Sequence, residues 1–271
     1  MDIIKAIASE LNVRNNQVEA AVKLIDEGCT IPFISRYRKE ATGALNDEQL
    51  RNLDERLKYL RNLEDKKTQV IASIAEQGLL TDELKNQIEK ADTMVAVEDL
   101  YRPYRPKRRT RATIAKEKGL EPLANIIMLQ MTGEPVVKTA EEYVSEEKDV
   151  KTPEDAVAGA KDIIAESISD NADYRTRIRE LTFKEGVLTS AAKDAEAKTV
   201  YEMYYNFSEP AAKMAGHRIL AVNRGENEKI LSVKVEAPEE DILRFLERKV
   251  ITRDNPNTTP VLKEVVADAY D

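Results

Sequence analysis

Between Asn46 and Gly78, apolar residues fall at Leu50, Leu53, Leu57, Leu60, Leu63, Val70 and Ile74, a three- and four-residue spacing that an α-helix gathers onto one face. Asn46 stands three residues before Gln49, a capping-box pair, and Gly78 supplies a residue on which helices readily end. The stretch predicts one helix of thirty-odd residues, about 50 Å long. Lys66 and Lys67 break the apolar seam, so the pattern predicts a long strut packed against neighbouring helices and not a coiled coil.

The neighbours are legible from the same periodicity. Ile3, Ile4, Ile7 and Leu11 mark one helix, NVRNN interrupts it, and Val18, Ala21, Val22 and Ile25 mark a second that Gly28 can end. This has a helix-turn-helix outline, but the segment Gln17 to Glu27 offers one lysine against Glu19, Asp26 and Glu27, which favours a plain αα-hairpin over a groove-reading helix. Thr81 caps a short helix through Leu84 and Ile88, another runs from Met94 to Tyr101, and Pro103 and Pro106 stop it. A helix begins around Glu121, and residues 133 to 147, broken by Pro135, read as a connector. Thr152 followed by Pro153, Glu154 and Asp155 combines a cap, a first-turn proline and acids at the positive end of the helix dipole. Leu231, Val233 and Val235 alternate with Ser232, Lys234 and Glu236, the one clear strand pattern, and Pro238 and Pro260 each open a further helix. The expected fold is mainly α: an elongated multi-helix scaffold with an N-terminal helix-turn-helix-like hairpin, one long central helix and a small strand-containing C-terminal part. Three segments are expected: 1–135, carrying the long helix and a basic loop, a second helical subdomain at 136–200, and a mixed helix and strand segment at 201–271.

Composition removes several function classes. Apolar residues at 42% and charged residues at 34% are too balanced for wholesale disorder, and no run of apolar residues is long enough for a membrane-spanning helix. The start, MDIIKAIASELN, lacks the basic opening and unbroken apolar stretch of a secretory signal, so the chain reads as cytoplasmic. One cysteine, Cys29, and one histidine, His217, are too few for an internal disulfide or a structural zinc site. The phosphate-loop, nucleophile-elbow, dinucleotide and zinc-protease patterns are all missing, so neither catalysis nor a metal or other cofactor is expected. His217 is expected to cap or pack.

The net charge is −8, yet residues 101 to 118 carry eight basic side chains and a single acid, Glu117. The segment EDLYRPYRPKRRTRATIA packs guanidinium groups, tyrosines and two stiffening prolines together, the residue types that bind phosphates and stack on bases. Arg102, Arg105, Lys107, Arg108, Arg109 and Arg111 are the candidate nucleic-acid contacts. The competing reading turns the same arginines back onto acidic helices as internal ties, with Arg102 and Arg105, beside the prolines, the more structural pair. In a second segment, IPFISRYRKEATGAL at 31 to 45, Ile31, Phe33, Ile34 and Tyr37 are expected to pack inward while Arg36 and Arg38 bridge to carboxylates.

Through these two segments, together with YYNFSEP at 204 to 210 and HRILAVNRGENE at 217 to 228, the sequence resembles the Tex family of bacterial transcription accessory proteins. Asn206, where aspartate is common, and Ala215–Gly216, where proline is common, are small departures. The resemblance implies that this chain is the amino-terminal portion of a longer protein, followed by an RNase H-like domain, helix-hairpin-helix modules and an RNA-binding OB-fold. It also implies a helical, non-catalytic region whose partners are nucleic acid, the remaining domains and the transcription machinery. Two functions are therefore expected: an auxiliary contact to RNA or DNA through the basic loop, or an interdomain support that binds no nucleic acid by itself.

Overall fold

A computed structural model describes residues 2–106 and 108–271. The chain divides into two compact units, Met1–Tyr104 and Arg105–Asp271.

The first unit is helical. Helices α1 (Ile3–Glu10) and α2 (Asn15–Asp26) form the hairpin, succeeded by α3 (Ile31–Tyr37), the long α4 (Asp47–Glu76), α5 (Asp82–Lys90) and α6 (Met94–Tyr101). The α4 capping box forms as its sequence predicts: Asn46 Oδ1 accepts from the Gln49 amide at 2.8 Å, and Gln49 Oε1 accepts from the Asn46 amide at 3.0 Å. Gly78 lies just past the helix with φ +71°, a conformation that costs glycine little. Leu50, Leu53, Leu57, Leu60, Leu63, Val70 and Ile74 are buried along one stripe and meet Ile7, Val18, Ala21, Ile34, Ile88 and Val97 from the other helices.

The seam does not break at its lysines. Lys67 continues the stripe with a side chain 4% exposed, and its ammonium donates to Glu64 Oε1 and to the Glu89 carbonyl, both at 2.9 Å. Its methylene stem fills the apolar row while its charge reaches partners at the margin. Lys66 turns aside to pair with Glu98 at 2.6 Å.

The second unit is built around α10 (Pro153–Ser169). Before it come α7 (Arg111–Glu117), α8 (Glu121–Leu129) and α9 (Val136–Ala140), and after it α11 (Ala172–Glu185). Next are strands β1 (Val187–Ala192) and β2 (Asn206–Pro210), helix α12 (Gly216–Asn227) and strand β3 (Leu231–Glu236), then α13 (Glu239–Val250) and α14 (Thr259–Tyr270). Thr152 and Asp155 form the α10 capping box, and Ala156, Ala160, Ile163, Ile164 and Ile168 bury its inner face in a core to which α7, α8, α9 and α14 contribute. Gly159 lets α7 approach: a Cβ there would lie 2.4 Å from Leu120 Cδ1 and 3.2 Å from Ala115 Cβ.

Gln130, at φ +54° and 3% exposed, staples distant parts of this unit. Its amide donates to the Val250 carbonyl at 2.8 Å and accepts from the Thr252 and Arg253 amides at 3.0 Å each, while Asn255 donates to its main-chain carbonyl at 3.1 Å.

The sheet is antiparallel in the order β2-β1-β3, with Ser190 opposite Phe207 and Val233. Tyr201, Tyr204, Met214, Val222 and Leu231 make a small core beside it. The alternation in β3 marks that strand in the sequence. β1 (VLTSAA) and β2 (NFSEP) carry too little of it to be read, and the segment around α9 holds a short helix where a bare connector is expected. His217 neither caps nor packs: it is exposed on the first turn of α12, whose N-cap residue is Ala215.

Candidate nucleic-acid interface

The basic stretch begins where α6 ends. Ser73 Oγ and Tyr101 Oη lie 3.0 Å apart, and Gln77 donates to the Tyr104 carbonyl at 3.0 Å, so α4 holds the short 3-10 turn Arg102–Tyr104 in place. Arg102 and, in the second unit, Arg105 have exposed surfaces, and each is engaged within the chain. Lys107 lies outside the described residues.

The remainder of the basic stretch is not wholly a loop. Thr110 caps α7 by accepting from the Thr113 amide at 3.1 Å, and its hydroxyl donates to Glu166 of α10 at 3.0 Å. Ala112 and Ala115 are buried against α10, so Arg111 and Lys116 are displayed from a helix. The two-alanine inner face is too short and too small to stand out among the arginines, which is why the sequence suggests an irregular segment.

The cations divide by partner. Arg109 pairs with Glu117 at 2.7 Å but keeps its side chain 67% exposed. Arg111 reaches Asp162 of α10 at 3.4 Å and Asp268 of α14 at 3.1 Å. Burial is the largest influence on Asp162 and raises its pKa above the ordinary carboxylate value. Arg111 opposes that shift, and the charge of Asp268 adds to it. Lys118 donates to Asp149 Oδ2 at 3.1 Å and to its carbonyl at 2.7 Å, and the bond to the carboxylate holds the Asp149 pKa below the usual value. Arg108 and Lys116 are exposed and have no ion-pair or hydrogen-bond partner among the described residues. The cleft of about 390 Å³ beside α7 sets Arg111, Lys118 and Lys151 against Asp149, Asp155 and Asp162, so its charges are balanced internally. Among the described residues no group of three or more His, Cys, Asp or Glu is placed to hold a metal ion.

The segment at 31–45 departs from expectation. Ile34 is fully buried and Ile31 packs on the first core, but Phe33 and Tyr37 are 37% and 64% exposed. Four residues apart on α3, the two rings share a face that points away from the Ile31–Ile34 side. Arg36 and Arg38 bridge to no carboxylate among the described residues. Arg38 instead lies over the Phe33 ring at 5.3 Å and donates to the Tyr37 carbonyl at 3.3 Å. A four-residue aromatic spacing offset from the isoleucines is the signal that separates these faces.

Two helical units, one ending and the other opening in an arginine-rich segment, define a helical scaffold class with displayed cations. The chain belongs to the Tex family: residues 1–75 match the Tex-like protein N-terminal domain, and residues 132–267 match the Tex central region. It is 47% identical over 267 residues to YdcI of Bacillus subtilis, covering 97% of this chain and 37% of that protein. It is 41% identical over 244 residues to the transcriptional accessory protein Tex of Neisseria gonorrhoeae, covering 89% of this chain and 32% of that one. It is also 30% identical over 244 residues to human S1 RNA-binding domain-containing protein 1, covering 86% and 24%. The chain thus spans roughly a third of the length of these bacterial relatives. No helix among the described residues is long and apolar enough to cross a membrane.

Proposed function

We propose that this chain acts as a non-catalytic helical module of a cytoplasmic transcription accessory protein and makes an auxiliary, sequence-tolerant contact with RNA or DNA through its basic segment. The observation that carries the reading is Arg108, an exposed guanidinium without a carboxylate partner among the described residues, next to Arg109 at 67% exposure. An unpaired surface cation keeps its full charge for a phosphate, whereas Arg111 and Lys118 are already engaged with aspartates. The names of the gonococcal and human relatives, which refer to transcription and RNA binding, agree with this direction.

Two phosphate contacts give a slope of about −2 for log affinity against log salt on duplex DNA, shallower on single strands. R108E/R109E is expected to weaken oligonucleotide binding in an anisotropy titration and to flatten that slope, with at most a small fall in melting temperature from loss of the exposed Arg109–Glu117 pair. Unchanged affinity and slope in a folded double variant overturn the contact. Nuclease turnover by the purified chain overturns the non-catalytic assignment.

A second reading, in which the basic segment is structural within its own unit, is favoured at one residue. Arg111 ties α7 to both α10 and α14, a geometry suited to bracing. The two readings divide the arginines by partner and not by exposure: Arg108 has none among the described residues, Arg109 keeps one exposed pair to Glu117, and Arg111, though 70% exposed, is tied to two aspartates.

A further inference from the structure

The aromatic face of α3 lies in the first unit, and the Arg108 contact plays no part in it. Tyr37 is the more open ring, its centroid 5.4 Å from that of Phe33 at a 45° tilt. Beside the pair in sequence stand Arg36, Arg38 and Lys39, all exposed and none salt-bridged among the described residues, and residues 31–45 contain a single acid, Glu40. An exposed phenol ring costs free energy in water, and three uncompensated cations in four positions repel one another.

The segment is also held firmly. Ile34 anchors α3 in the core. The Thr42 amide and hydroxyl donate to the Arg38 carbonyl at 3.2 and 3.3 Å, and the Ala44 amide donates to the Lys39 carbonyl at 2.8 Å, so the two carbonyls just past the helix are occupied. Gln17 of α2 donates to the Gly43 carbonyl at 2.8 Å, and Gly43 adopts φ +59° with that glutamine packed where a Cβ would sit. Capping these carbonyls removes acceptors that would otherwise repel a phosphate.

We infer that Tyr37 and Phe33, flanked by Arg36, Arg38 and Lys39, form a stacking platform for unpaired nucleic acid. A base lies on the open Tyr37 face, the Arg38 guanidinium backs the Phe33 ring from one side, and Arg36 and Lys39 neutralise the adjoining phosphates. Duplexes hide the faces of their bases, so the site selects single strands over double strands of equal charge. The shared chemistry is a base face with a flanking phosphate, in RNA or in DNA.

The chain contains no tryptophan, which makes Y37W a site-specific reporter. Titrating that variant with oligo(U), oligo(dT), a DNA duplex and poly-glutamate is expected to give saturable quenching with the single strands alone. A further arm with oligo(dU), which differs from oligo(U) in the 2′-hydroxyl alone, identifies the preferred sugar. Y37A and F33A are each expected to weaken single-strand binding by about fivefold or more. Tyr37 is 64% exposed, so Y37A should melt with the parent chain, while F33A, whose residue is 37% exposed, is compared at a temperature well below its own melt. R108E/R109E should leave the Y37W quench intact, which separates failure here from failure of the basic-segment contact. Absence of quenching at saturating single strand, equal quenching by duplex, or quenching by poly-glutamate alone overturns the platform, the last pointing to an acidic protein surface instead.

Discussion

Lys67 donates a 2.9 Å hydrogen bond to the backbone carbonyl of Glu89, joining the middle of α4 to the last turn of α5 from within an otherwise apolar row. Its stem packs as a hydrophobe, and only its tip needs polar company. K67A is expected to cost about 2 kcal/mol, since it removes most of the buried stem and both hydrogen bonds. K67M keeps the volume without the charge, and its stability should stay within about 1 kcal/mol of the parent chain. Urea denaturation of both variants checks the ordering.

Arg111 and Arg108 should separate in stability even though both are exposed arginines. R111A loses the bonds to Asp162 and Asp268 and is expected to destabilise by a few tenths to about 1 kcal/mol, the range of exposed pairs. R108A has no such bond to lose and should leave the melting temperature unchanged. Paired thermal melts at low and high salt suffice, with the R111A effect shrinking as salt rises.

Gly159 allows α7 to lie close against α10. G159V is expected to destabilise by about 2 kcal/mol or more, because the new side chain meets Leu120, itself 1% exposed with nowhere to move. G159A gains helix propensity of about 1 kcal/mol and partly offsets its own clash. Adding L120A to G159V should recover part of the loss, in a double-mutant cycle read by denaturation.

Asp26 accepts two hydrogen bonds from Arg61 at 2.7 and 2.8 Å, joining α2 to α4, and chiefly this bonding holds its carboxyl below the ordinary value. A carboxylate with a depressed folded-state pKa stabilises the fold above its unfolded pKa, and that stabilisation disappears as pH falls through the folded value. D26N should therefore be less stable than the parent at neutral pH, by no more than about 1 kcal/mol for so exposed a pair. The difference should vanish in strong acid. Asp162 has the opposite sign. Its raised pKa means that its proton binds more tightly in the folded chain, so its contribution improves as pH falls through that raised value.

The elements legible in the sequence are those whose signal is local. Asn46 with Gln49, and Thr152 with Asp155, announce their helices because a cap is satisfied within three residues. β3 declares itself by alternation, whereas β1 and β2 gain their strand character from pairing across the chain, β2 with β1 and β1 with β3. Lys67 reads as a break because its formal charge is visible in the sequence and its distant acceptor is not. At the candidate sites, residue type is legible and partnership is not. Nothing local tells Arg111, bound to Asp162 and Asp268, from Arg108, bound to neither. Phe33 and Tyr37 fit a core by composition, and only the direction of the seven-residue α3 turns them outward.

The Gln130 staple also sets the order in which the second unit can be completed. Its carboxamide waits for partners at Val250, Thr252 and Arg253, more than a hundred residues later in synthesis. Until those residues emerge from the ribosome, the end of α8 holds an unfilled polar group, and α10 lacks the cover of α14. Closing a loop of that length comes late and slowly. A nascent chain paused before Val250 would carry a finished first unit beside an open second one, the stage at which chaperone capture and proteolysis would be most effective.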